Sequence, residues 1–179
     1  MSSYLTRPIG PYDHTMGPPD APYQLLEYGD YECPFCGAAH PIVKSIQRRL
    51  GDSLLFAYRH FPLTQMHPHA EHAAEMAEAA GERGRFWEMH DMLFRNQHAL
   101  DDASLIVYAA RLGIDPAWAQ RVLQTHAFAD RVREDFMSGV RSGVNGTPTF
   151  FVNNVRHDGP WDEASLLEAL RSTAFAGRR

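Results

Sequence analysis

Residues 23–36 read YQLLEYGDYECPFC. Tyr23 to Tyr28 is aromatic and aliphatic, lacks Gly and Pro, and lies between Ala21-Pro22 and Gly29-Asp30, which reads as a strand. Pro34 suits the first position of a helix, because its missing N–H would have no intrahelical partner there. Ile42, Val43, Ile46 and Leu50 carry that helix onward on one apolar stripe to Gly51. Ser53 to Phe61 (SLLFAYRHF) forms a second strand, stopped by Pro62. The two cysteines, Cys33 and Cys36, therefore sit inside a strand–helix–strand unit.

Upstream, residues 1–22 are rich in Pro and Gly and read as an extended lead-in, with a short edge strand near Tyr12 to Thr15. Downstream the pattern turns helical. Ala70, Ala73, Ala74, Ala77 and Ala80 recur at helical spacing before Gly81. Phe86, Met89, His90 and Leu93 mark a second helix. A third, capped at Asp101 or Asp102, carries Leu105, Ala109 and Leu112, and Asp115-Pro116 opens a fourth with Trp118 and Val122. Phe128, Val132, Phe136 and Val140 form the expected stripe of a fifth, ending at Gly143. Thr149 to Val152 is again a strand, Asn153-Asn154 a hairpin turn, and a short strand follows to His157. Asp162 caps a last helix with Leu166, Leu167 and Leu170. The expected order is β-α-β (residues 1–65), an all-helical insertion (66–143) and β-β-α (144–179), one α/β domain split by helices.

A chain of 179 residues, 44% hydrophobic, can bury one substantial core. Its net charge of −5 is scattered, with no basic stripe to attract nucleic acid and no apolar run of membrane-spanning length. Met1 to His14 has no apolar h-region, so the expected location is the cytoplasm, or the periplasm if a native signal was removed.

Two cysteines cannot make a disulfide framework, and a bridge across so small a ring would constrain little of the unfolded chain. Their chemistry is the better explanation. Cys33 falls at the N-cap of the helix opened by Pro34, where unpartnered N–H groups and the helix dipole favour a thiolate. Cysteines in such settings ionise at about 3.5–7.5 rather than about 8.5. Cys36, one turn further in, is expected to be the more buried, resolving thiol, and disulfide exchange needs this asymmetry. Glu27 is a carboxylate between Leu26 and Tyr28 in a core strand. Burial raises such a pKa, which suits it to exchange a proton with Cys36, although an exposed edge glutamate would read the same way. Pro34 and Phe35, between the cysteines, are candidates to touch a substrate. Pro148 should begin its strand, since proline cannot sit within a sheet.

The stretch LLEYGDYECPFC, the helical insertion and GTPTFFV at 146–152 together resemble the DsbA-like branch of the thioredoxin superfamily. They are most similar to the thioredoxin-type domain found alone or fused to some bacterial sodium/proton antiporters. The likeness covers roughly residues 11–172, with EYGDYECPFC, HPHA at 67–70, FWEMHD at 86–91 and GTPTFF in order. It implies a thioredoxin fold and thiol–disulfide oxidoreductase activity. It also implies Cys33 as nucleophile, Cys36 as resolving thiol, Glu27 as buried acid, and a cis Thr147–Pro148 bond that holds the substrate backbone. Protein or small-thiol disulfides would be the substrates, glutathione a candidate reductant, and no organic cofactor or metal would be needed. One departure stands out. The periplasmic oxidant of the superfamily has Pro-His between its cysteines, and here the pair is Pro34-Phe35, with Asp30 and Glu32 nearby. A milder oxidant is expected.

Two rivals keep a place. A glutathione transferase or isomerase relative would share the insertion but typically carries Ser or a single thiol, and a redox-sensing or regulatory binding module would need no turnover. His67, His69 and His72 with Glu75 could in principle hold a metal, as could the cysteines with two histidines; solvated residues at a helix start explain the former better. His40 reads as a plain helix residue, His60 as a residue near the second strand's end, and Trp87, Trp118, Phe128 and Phe136 as core of the insertion.

Overall fold

The computed structural model describes residues 4–176; the first three residues of the lead-in and the last three of the chain lie outside the described residues. In chain order the elements are β1 (His14–Met16), β2 (Tyr23–Gly29), α1 (Pro34–Leu50), β3 (Leu54–His60), α2 (Ala70–Glu82), α3 (Phe86–Arg95), α4 (Asp102–Arg111), α5 (Pro116–Thr125), α6 (Ala129–Arg141), β4 (Thr149–Val152), β5 (Val155–His157) and α7 (Glu163–Ala176). A single 3-10 turn, Gly51–Ser53, joins α1 to β3. The chain divides into two compact units. One comprises residues up to Gly29, Ala38–Arg59 and everything from Ser138; the other comprises Asp30–Gly37 and His60–Met137.

The first unit is built on a five-stranded sheet of order β1-β3-β2-β4-β5. β1 runs antiparallel to β3, β2 to β4 and β4 to β5. β2 and β3 are neighbours joined through α1, the kind of crossover that parallel strands require. Burial is continuous over Leu25 to Gly29 and along all of β3, so these strands are covered on both faces and cannot alternate polar with apolar. Gly29 has a specific steric reason: a Cβ there would come within 2.6 Å of the Tyr58 ring. The β4–β5 turn uses Asn153 and Asn154 at φ +48° and +69°, the doubly left-handed conformation of a tight hairpin. α7 starts behind Asp162, which accepts from the Ser165 N–H at 3.1 Å, and packs on β2 and β4.

The second unit packs α2 to α5 and most of α6 around alanines and long aliphatics. Ala73, Ala74, Ala77 and Ala80 of α2 are buried with Met76, Met89, Leu93, Leu105, Ala109, Val122 and Leu123. Two expectations change here. Gly81 does not end α2, which continues to Glu82 and stops where Gly84 takes φ +69°. The four large aromatics are not the centre of this core: Trp87, Trp118, Phe128 and Phe136 are all only half-buried. Trp118 is roofed by the Arg83 guanidinium, 4.5 Å above its ring.

The buried face of α6 is also rotated from the apolar stripe. Val132 is buried, but the inward positions that follow are Asp135, Ser138 and Ser142, while Val140 is exposed. Each buried polar group has a partner within its own unit. Asp135 Oδ2 accepts from the His60 N–H at 3.2 Å, and Arg131 donates to Asp135 Oδ1. Ser138 and the Tyr28 hydroxyl are 2.8 Å apart, and Thr6 N donates to Ser142 Oγ at 3.0 Å. Hydrogen bonding, rather than hydrophobicity, selects this face.

Arg59 is the largest fully buried side chain of the first unit, at 0% exposure. Its Nε and Nη2 grip Asp13 at 2.7 and 2.9 Å, its Nη1 and Nη2 donate to the Arg7 and Pro8 carbonyls at 2.8 and 3.1 Å, and Nη1 donates to the Tyr28 hydroxyl at 2.9 Å. The guanidinium thus ties the Pro- and Gly-rich lead-in to β2 and β3. Burial by itself would raise the Asp13 pKa, but the Arg59 hydrogen bonds and charge, the Gly10 N–H and Arg7 outweigh it and hold the carboxyl below its ordinary value. A carboxyl lowered on folding contributes stability above its unfolded pKa and loses it as pH falls through the folded one. Asp13→Asn is therefore expected to cost about 3 kcal/mol at pH 7, the scale for breaking a buried pair, and to flatten the acid limb of the stability profile below about pH 4. Urea unfolding of both forms between pH 2.5 and 7 checks it.

Candidate active site

The segment Asp30–Gly37, which carries both cysteines, is held by side chains far away in sequence. Cys33 directly precedes α1, and its carbonyl accepts the first helical bond from the Gly37 N–H at 3.0 Å, which makes it the N-cap. Pro34 supplies the preset φ at N1. The first turn of α1 contains no acidic side chain, so the positive end of the helix faces no carboxylate of its own. Both cysteines are buried, Cys33 at 3% and Cys36 at 0% exposure. The order agrees with the sequence expectation, although the contrast is small. Phe35 between them is 65% exposed, a large aromatic presented to solvent beside the sulfurs.

Asp30 organises the segment. It is buried, and its carboxylate accepts from the Glu32 N–H at 2.8 Å, the Leu63 N–H at 2.9 Å and His67 Nδ1 at 2.8 Å. Its own backbone N–H donates to Cys36 Sγ at 3.5 Å, and its carbonyl accepts from the Cys33 N–H at 3.2 Å. One residue thus touches both cysteines through its main chain. Glu32 repeats the arrangement, with Oε2 accepting from the His69 N–H at 2.7 Å and Oε1 from His69 Nδ1 at 2.9 Å. The two acids near the cysteines are each engaged by a histidine of the HPHA stretch.

The other side is held by Gln97, whose Nε2 donates to the carbonyls of Tyr31 and Cys33, both at 2.8 Å. A Cβ at Gly37 would fall 2.0 Å from Gln97 Oε1, so glycine is what admits this clamp. Tyr31 is buried among His60, His90 and Phe94, and its hydroxyl bonds His90 Nδ1 at 3.0 Å. Nothing in the sequence marks Gln97, which lies more than sixty residues from the motif. Asp30 and Tyr31 stand out in the sequence only as neighbours of the cysteines within a resemblance, and the HPHA histidines also as possible metal ligands.

Glu27, Thr147 and Pro148 belong to the other unit. Glu27 is 2% exposed in the doubly covered part of β2, in register with Phe150 of β4. The Thr147–Pro148 peptide bond is cis, and Pro148 directly precedes β4. The Thr149 hydroxyl donates to the Gly146 carbonyl at 2.7 Å, closing the loop around that bond. His40 is buried on α1, and His60 is fully buried with Nε2 2.7 Å from Glu78. His67 and His69 turn to Asp30 and Glu32, so they do not join His72 and Glu75 in one cluster.

Removing the Asp30 carboxylate would strip acceptors from two main-chain N–H groups of the buried segment, and hydrogen bonds to charged groups contribute about 1.5–3 kcal/mol each. Asp30→Ala is expected to destabilise the protein by about 3 kcal/mol and to speed amide exchange at Glu32 and Leu63. Urea unfolding with hydrogen exchange measures both; a loss below about 1 kcal/mol would show that water replaces these bonds.

A family model described as thioredoxin matches residues 10–172. Among curated relatives, Na(+)/H(+) antiporter NhaA 1 of Mycobacterium sp. (strain KMS) is 44% identical over 171 residues, 94% of this chain and 28% of that protein. NhaA 1 of Salinispora arenicola (strain CNS-205) is 46% identical over 176 residues, 98% of this chain and 27% of that protein. The chain therefore spans little more than a quarter of the antiporters it matches. Among solved structures, oxidised BdbD from Bacillus subtilis superposes with a TM-score of 0.86 at 23% identity, covering 98% of this chain and 100% of that one. Alpha-DsbA1 of Wolbachia pipientis gives 0.80 at 20% identity over all of both chains. With the fold shared and the model matched along nearly its whole length, the chain belongs to the thioredoxin family.

Proposed function

We propose that this protein is a thiol–disulfide oxidoreductase that exchanges disulfides through Cys33 and Cys36. The observation that carries the reading is Cys33 at the N-cap of α1, with its carbonyl accepting the Gly37 N–H and a solvent-exposed Phe35 two residues on. Its sulfur there receives the field of the helix N-terminus, which favours the thiolate.

In the reducing direction the Cys33 thiolate attacks one sulfur of a substrate disulfide. A Cys33–substrate disulfide forms and the first substrate thiolate leaves. Cys36 then gives its proton to water and attacks Cys33 Sγ. The second substrate thiolate leaves, the Cys33–Cys36 disulfide forms, and the substrate has gained the two electrons. The oxidising direction is the reverse. Pro34 and Phe35 are assigned to substrate contact, Phe35 on its exposure. Each step balances in sulfur bonds and protons, and a thiol reductant such as glutathione would return the Cys33–Cys36 disulfide to the dithiol for the next cycle.

The Pro34-Phe35 pair offers no side-chain donor to a thiolate, and the Asp30 and Glu32 charges are taken up by hydrogen bonds. The potential is therefore expected in the glutaredoxin range, about −200 to −230 mV, milder than the roughly −120 mV of the strongest oxidants of this fold. Equilibration against a glutathione buffer measures it, and a value above about −150 mV would contradict the role given to Phe35.

The antiporter relatives favour one alternative, a regulatory module acting on a transporter by binding alone. Cys36→Ala separates the two. An exchanging enzyme should accumulate mixed disulfides through Cys33 and lose at least about 100-fold in turnover on a disulfide-bonded peptide, since one half-reaction is removed. Unchanged turnover, or no trapped adduct that Cys33→Ala abolishes, would refute the exchange mechanism.

A further inference from the structure

We propose that His72, Glu75 and His126, supported by Asp102, form a binding site for a divalent transition-metal ion, with zinc the reference ion. The site lies within the helical unit and uses none of the residues assigned to disulfide exchange.

The three side chains offer one ligand atom each, and these atoms all lie within 4.8 Å of one another. Their convergence comes from three elements. His72 and Glu75 are three apart on α2 and so share a face. His126 is the C-cap of α5 at φ +51°, a left-handed conformation that histidine adopts more readily than most side chains. Asp102 is the first residue of α4.

Glu75 is the unusual member. It is fully buried at 0% exposure, with Oε1 at 3.0 Å from His126 Nδ1 and Oε2 accepting the Phe128 N–H at 3.3 Å. His72 Nδ1 stands 2.6 Å from Asp102 Oδ1, and the two imidazole rings are 5.2 Å apart between centroids. Each histidine thus has a carboxylate at one ring nitrogen. Ligand nitrogens must be deprotonated, so an ion binding here would take the place of the protons that these imidazoles share with the carboxylates.

Charge points the same way. With both imidazoles neutral, Glu75 and Asp102 bring two negative charges, which a divalent cation neutralises. Two imidazole nitrogens select against calcium and magnesium, which take oxygen, and for zinc, copper or nickel. Tetrahedral zinc with bonds of about 2.0–2.2 Å sets its ligand atoms about 3.4 Å apart, so the donors close on the ion through side-chain rotation of about 1 Å. Three protein ligands leave one position for water. The competing explanation is that the Glu75–His126 and His72–Asp102 bonds merely tie α4 and the α5–α6 turn to α2.

The test is calorimetric titration with zinc chloride of the full chain carrying Cys33→Ser and Cys36→Ser, so that thiolates cannot supply the site. One equivalent is expected to bind, and His72→Ala or His126→Ala in the same background should weaken it at least tenfold. Both histidines are partly exposed, and circular dichroism verifies that the variants fold. Cobalt(II) should give visible bands of tetrahedral intensity that the same substitutions abolish. Absence of zinc binding, or binding that survives both substitutions, would overturn the proposal and leave the bonds a structural role.

Discussion

A cysteine at the start of a helix is only as well placed as the chain that leads into it, and here that lead-in has little regular structure. Residues 30–33 lie between β2 and α1, in neither a strand nor a helix. Their main-chain groups must find partners elsewhere, because buried unpaired N–H and C=O groups are costly. Asp30 and Gln97 meet that demand from opposite chemistries. The carboxylate collects N–H groups from residues 32 and 63, and the amide donates to the carbonyls of residues 31 and 33. The position of Cys33 follows from these bonds as much as from Pro34.

The same logic recurs in the sheet-bearing unit. Arg59 sits in a strand covered on both faces, where a charge would be prohibitive without partners. It has five hydrogen bonds, two of them to a carboxylate and two to lead-in carbonyls. A lead-in rich in Pro and Gly cannot bury enough apolar surface to order itself, so an ionic anchor does what packing cannot. Buried pairs of this kind are poor sources of net stability and good sources of uniqueness; the two carbonyl contacts here select one path for residues 7 and 8.

Polar groups also explain where sequence patterning misled. Phe128, Val132, Phe136 and Val140 recur every four residues and suggest an apolar stripe, yet the inward face of α6 runs through Asp135 and Ser138, and Ser142 just past its end continues it. A period of four drifts around a helix that turns every 3.6 residues, so only part of such a stripe can face inward. Trp118, expected in the core of the insertion, is only half-buried and lies beneath the Arg83 guanidinium. Large aromatics bury most of their surface at a boundary as readily as in a centre.

From its sequence alone this protein declared its local elements and their order: the strand before the cysteines, the helix opened by Pro34, the hairpin at Asn153-Asn154, the caps Asp115 and Asp162, and a third cap at Asp101 or Asp102. Those features depend on residues within four positions of one another, so propensity, periodicity and capping chemistry suffice to read them. The tertiary structure alone decided that Asp30 meets His67 and Leu63, that Gln97 spans the Cys33 segment, that Arg59 gathers the lead-in, and that Glu75 meets His126. Each of those pairs is separated by more than thirty residues, and partner choice between polar groups at that range depends on where the backbone brings them together, which no local pattern encodes.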